Sequence, residues 1–131
     1  MSQHIHSYFS EMPLYQKAMD IIVLSRSIST YINHDLCTLS ENGEEDEHIY
    51  FSGDIVQQSA CLTPEIVNAE RARFSDKKHE HVEAVNRLVS KLYNNCKRLE
   101  RINSNGKDYL PILKKELKKF RKLQRTWMLT L

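Results

Sequence analysis

Only three glycines and three prolines occur among 131 residues. Tight turns are correspondingly scarce, which argues against a sandwich or barrel of many short strands. The three cysteines, Cys37, Cys61 and Cys96, are widely spaced and include no Cys-x-x-Cys pair, a pattern of ordinary thiols in a reducing compartment. The longest strictly apolar run is Ile21–Leu24, far short of the roughly 20 residues that cross a bilayer. The opening Met-Ser-Gln-His-Ile-His has no basic segment followed by an apolar one, so no signal peptide is expected and the expected location is cytoplasmic, with no membrane partner. The glycines form neither a Gly-x-Gly-x-x-Gly nor a Walker-type loop, which leaves no cradle for a nucleotide phosphate.

What is present is helical periodicity. With 40% hydrophobic and 27% charged residues, the composition is that of a folded domain rather than a disordered chain. Leu14, Ala18, Ile21, Ser25, Ile28 and Ile32 follow one another at alternating spacings of four and three, the seam of a bundle helix. Ile22 and Leu24 widen that apolar face. Ile55, Ser59, Leu62, Ile66 and Ala69 make a second seam, and Pro64 inside it predicts a kink near Leu62–Thr63 rather than a break, since the apolar phase runs on. Val82, Val85, Val89, Leu92, Cys96 and Leu99 form the third seam. Leu110, Leu113, Leu117, Phe120, Gln124 and Trp127 form the fourth, with Pro111 in its first turn.

These seams predict helices over about residues 12–33, 48–74, 76–102 and 107–129 after an N-terminal tail 1–11. Ser75 and Asp76 are the expected caps of the third helix. Asn103-Ser-Asn-Gly106 carries the turn chemistry that ends it. Tyr8 and Phe9 are expected to pack on the bundle or on a neighbouring subunit. The fold class that follows is all-α: a single up-down-up-down antiparallel four-helix bundle.

No constellation points to catalysis or to a cofactor. Di-metal bundles use Glu-x-x-His on two helices, and the chain contains Glu45-x-x-His48 and Asp76-x-x-His79. Antiparallel topology puts these pairs at opposite ends of neighbouring helices, roughly 35 Å apart by helical rise, and the seams carry no inward glutamates. His4-x-His6 and His79-x-His81 read as surface histidines, because side chains two apart on a helix face different ways. Cys96 lies on a seam and reads as a small core hydrophobe; Cys61 sits just off one. Gln124 and Ser59 read as polar residues at the core edge.

Charge is unevenly divided. Residues 1–75 hold four Lys/Arg against eleven Asp/Glu, a net of −7, whereas residues 76–131 hold fifteen against six, a net of +9. Such a division suggests a polyanionic partner or head-to-tail assembly. On the fourth helix, with Leu117 at zero, Lys114, Arg121, Arg125 and Lys118 fall at about 40–100°, and Lys122, Lys115 and Lys119 continue to about 200°. Glu116 lies on the opposite flank. Several of the seven cations are like-charged i,i+4 neighbours, an arrangement that disfavours a merely solvated face and favours a polyanion. The acidic loop Glu41–Glu47 shares an end with the start of this helix and lies roughly 27 Å from Arg125 along the axis.

The stretches Leu14-Tyr-Gln-Lys-Ala-Met-Asp-Ile-Ile and Gln58-Ser-Ala-Cys-Leu-Thr-Pro-Glu-Ile, with small residues leading into a mid-helix proline, are what the chain shares with a bacterial four-helix-bundle family. That family includes the proteins encoded in intervening sequences of ribosomal RNA genes and the accessory variability determinants of diversity-generating retroelements, and the span Leu14–Trp127 resembles its pattern. Two of its features are absent: Glu70 is followed by Arg71 instead of glycine, and the third segment opens on Phe74-Ser-Asp-Lys-Lys-His instead of Gly-Ser. The resemblance implies a ring-shaped homo-oligomer, often a pentamer, whose basic surface engages nucleic acid or a nucleic-acid enzyme. The leading functional expectation is therefore a non-enzymatic oligomeric bundle that offers Lys114, Lys115, Lys118, Lys119, Arg121, Lys122 and Arg125 to RNA or DNA. A protein–protein adaptor that binds no nucleic acid is the alternative.

Overall fold

All four seams are buried in the computed structural model, which describes residues 8–39, 48–102 and 104–131, with side chains for 8–36, 51–102 and 104–131. Helix α1 (Pro13–Leu39) turns Leu14, Ala18, Ile21, Ser25, Ile28 and Ile32 inward. Helices α2 (His48–Ala60) and α3 (Leu62–Arg71) share the second seam. Helix α4 (Ser75–Leu99) buries the third seam and α5 (Leu110–Met128) the fourth, each without exception. Among the described residues there is no strand. The four rods, with α2 and α3 counted as one, form an antiparallel bundle: α1 packs against α2 and α5, and α4 closes the ring against α2, α3 and α5.

The boundaries differ from expectation where tertiary contacts outvote local signals. Helix α1 continues beyond Asn33–Asp35 to Leu39, because Leu36 extends the seam and is buried. Asp35, beyond the expected end at residue 33, accepts a 2.7 Å hydrogen bond from Ser104 Oγ. The interruption of the second rod falls at Cys61, just before the expected Leu62–Thr63. Pro64 has no N–H for the Ala60 carbonyl and its ring crowds that carbonyl. The chain answers with a one-residue turn in which Cys61 N–H is shared between the Gln57 and Gln58 carbonyls at 3.2 and 3.3 Å. Cys61 keeps right-handed helical angles, φ −82° and ψ −11°, so the apolar phase survives. Helix α3 stops at Arg71, short of residue 74.

Phe74, not Ser75 or Asp76, takes the N-cap position of α4, in extended backbone and with no side-chain cap. Helix α4 stops at Leu99, and its last carbonyls are met by turn hydrogen bonds from Glu100, Arg101 and Ile102. The connection then runs through a short 3₁₀ helix, Asn105–Tyr109, capped by Ser104 Oγ, which accepts from Gly106 N–H at 3.1 Å. A Cβ on Gly106 would stand 2.7 Å from Ile32 Cγ1 and 2.8 Å from Tyr31 Cδ1, closer than real side chains approach. Glycine is required there by close approach to α1.

Phe9 packs on the bundle, buried and stacked on Tyr15 at 5.9 Å, while Tyr8 stays exposed. The acidic loop Ser40–Glu47, the pairs His4/His6 and Glu45/His48, Asn103 and the Cys37 side chain lie outside what is described. No helix among the described residues is long and apolar enough to cross a membrane.

Candidate nucleic-acid interface

Helix α5 meets α1 on one flank and α4 on the other, and this position sorts its seven cations. On the α1 flank Glu116 accepts a 2.7 Å hydrogen bond from Lys17 and sits 3.5 Å from Lys119. The Lys17 ammonium, ahead of Lys119, holds the Glu116 carboxyl below the usual range. That contribution to stability is present above the ordinary glutamate pKa and fades as pH falls through the lowered one. Lys119 is thus partly neutralised.

On the α4 flank, Lys114 forms a 2.9 Å ion pair with Glu100 and lies 5.4 Å from the centre of the Tyr93 ring. Hydrogen bonding to Glu100 raises the lysine pKa. Arg121 donates to Ser90 Oγ at 3.0 Å. Lys114 and Arg121 are therefore also contacts between α5 and the α4 side of the bundle. Gln124, on the seam between them and the helix end, donates to Asn86 of α4.

Four cations remain. Lys115, Lys118, Lys122 and Arg125 are exposed, and no acidic side chain among the described residues lies within ion-pair distance of them. Their spacing of three, four and three places them on one stripe about 15 Å long. Nothing acidic occurs on α5 beyond Glu116, so no carboxylate of the helix itself offsets the positive field of the stripe.

Helix α4 adds a contribution that inspection of the fourth seam alone missed. Lys97 lies 5.0 Å from the centre of the same Tyr93 ring that Lys114 approaches, so cations of both helices converge there. The signal was in the sequence: no aspartate or glutamate occurs between Glu83 and Glu100, a span holding Arg87, Lys91, Lys97 and Arg98. Arg98 turns the other way, over Phe51 of α2 at 4.2 Å.

The remaining chemistry-bearing side chains are dispersed. His79 stands 4.0 Å from Glu83, whereas His81 Nδ1 meets Glu65 Oε2 of α3 at 2.6 Å, so the two histidines serve different partners. Among the described residues no three His, Cys, Asp or Glu side chains gather as a metal site would require. Cys61 is exposed and Cys96 fully buried. Burial, reinforced by Glu100, pushes the Cys96 thiol up from 9.0 to about 12. Between those values only the unfolded chain sheds the thiol proton, so this group lowers stability as pH rises through that window. Iodoacetamide at pH 8 is accordingly expected to label Cys61 in the native protein and Cys96 only after unfolding, as read by peptide mass; native labelling of Cys96 would contradict its burial.

No protein-family model, curated protein or solved structure matches this chain.

Proposed function

We propose that the protein is a non-enzymatic bundle that holds the phosphate backbone of RNA or DNA on the exposed stripe of α5, flanked by Lys97 of α4, and that it works as a homo-oligomer. The observation that carries this reading is that Lys115, Lys118, Lys122 and Arg125 have no acidic partner among the described residues, beside cations that do have partners. Lysine-rich contacts grip phosphates without reading base edges, so little sequence preference is expected. Fluorescence anisotropy with unrelated labelled duplexes and single strands tests it. Binding at about 50 mM salt that weakens linearly with log salt supports the reading, and no binding at that salt rejects it.

Association of copies is supported by α1. Ile22 and Leu24, which widen its apolar face in sequence, are covered or half-covered within the chain, but Met19 and Val23 stay exposed, at 40% and 60%. These flank the seam on the side away from α5. Light scattering at micromolar protein and low salt is expected to give a multiple of 15.4 kDa; a monomer mass would remove assembly, and with it the ring geometry, from the proposal. The adaptor reading rests on the same exposed residues of α1 and gains if the folded parent ignores nucleic acid.

A further inference from the structure

At the end of the bundle where α5 finishes, a cavity of about 300 Å³ opens to solvent between the start of α1 and the ends of α3 and α5. That volume suits a small organic molecule. Its wall is mostly apolar, built from Leu14, Leu123 and Trp127 with Tyr8 at the side, and Glu70 is the one charged residue lining it among the described residues. Glu70 follows the buried seam residue Ala69 near the end of α3. Trp127, buried at the last seam position of α5, donates its indole N–H to Glu70 Oε1 at 2.7 Å. The carboxylate is thereby fixed in place, yet no lysine, arginine or histidine among the described residues forms an ion pair with it. Lys78, the cation nearest in role, spends its ammonium on the main-chain carbonyls of Ala69 and Glu70, at 3.2 and 3.4 Å.

We propose that this cavity binds a small alkylammonium, with its hydrocarbon body against Trp127, Leu123 and Leu14 and its ammonium on Glu70. Two features select that chemistry. A carboxylate on an apolar wall gains most from a cation that brings its own apolar surface. The Trp127 and Tyr8 rings at the wall add aromatic surface that attracts a cation once water is displaced.

Trp127 is the only tryptophan in the chain, so intrinsic fluorescence reports the cavity directly. Titration with n-hexylammonium chloride should give a saturable change in emission. The uncharged n-hexanol should bind about tenfold or more weakly, and hexanoate should give no saturable change. Glu70→Gln keeps an oxygen for the indole N–H and should preserve the circular dichroism spectrum, while lowering hexylammonium affinity about tenfold, to that of hexanol. Thr126→Phe, at an exposed position on the cavity rim, should abolish the response by filling it. Equal binding of hexylammonium and hexanol by the parent overturns the proposal, as does unchanged ammonium affinity in folded Glu70→Gln. Tighter binding of hexanoate, an unaffected Thr126→Phe, or no saturable response to any of the three probes overturns it equally.

Discussion

Replacing Lys115, Lys118, Lys122 and Arg125 together by glutamate is expected to remove nucleic-acid binding while leaving the bundle folded. Each of the four is exposed and holds no acidic partner among the described residues, so reversal breaks none of the contacts described. If each meets one phosphate, the parent's affinity should fall with log salt at a slope near −3.6 on duplex DNA, about −0.9 per contact, and the slope should collapse in the variant. The loss at about 50 mM salt should reach roughly a thousandfold, since four attractions become four repulsions. Lys114 and Arg121 are poor choices for the same experiment. Lys114→Glu would set a carboxylate against Glu100, and Arg121→Glu would forfeit the Ser90 contact, so lost binding would be confounded with a loosened α4–α5 seam. A folded quadruple variant that binds like the parent would sink the stripe as the site and move the adaptor reading to the front.

The largest effect on stability is expected from Phe120→Ala. Phe120 is fully buried at the middle of α5, the largest of the side chains so enclosed. Its removal forfeits transfer energy and leaves a cavity between helices that cannot collapse independently, a loss of about 3–5 kcal/mol. For a domain of this size the melting temperature should drop by about 10–20 °C. Val23→Ala, at a 60% exposed position, should change stability by only about 0.5 kcal/mol and serves as the control. Comparable melting of the two variants would mean that the fourth seam does not pack as described.

The seams were legible because burial in a helix bundle is a local, periodic property. Every residue assigned from its spacing, from Leu14 to Trp127, is enclosed, and even Ser25, Ser59 and Gln124 could be placed by phase alone. Boundaries were less legible because they answer to distant partners. The first helix was expected to end at residue 33, but Ser104, far along the chain, bonds Asp35, and buried Leu36 carries the seam onward. The Cys61 turn followed from Pro64, displaced by the reach of a proline ring to the carbonyl four residues back. In the basic face, residue type and angular position were readable on α5. What could not be read from one helix was its neighbour: Glu100 and Ser90 claim two of its cations, and Lys97 joins from across the groove. The Glu70–Trp127 contact, spanning 57 residues, left no local trace at all.

The Lys17–Glu116 hydrogen bond joins residues 99 positions apart, because the first and last helices are neighbours in the ring. On a ribosome adding about 5–20 residues per second, Lys17 therefore waits roughly 5–20 s before Glu116 exists to meet it. During that interval one flank of α1, with Leu14 and Ile21 on its apolar face, has no α5 to cover it, while the helices that complete the opposite flank are already being made. The nascent chain is thus an open trough of three rods, most exposed to unwanted association just before the residues of α5 emerge. Slowing synthesis over the region encoding α4 and α5 should raise the aggregated fraction, whereas the same pause placed before α1 should not.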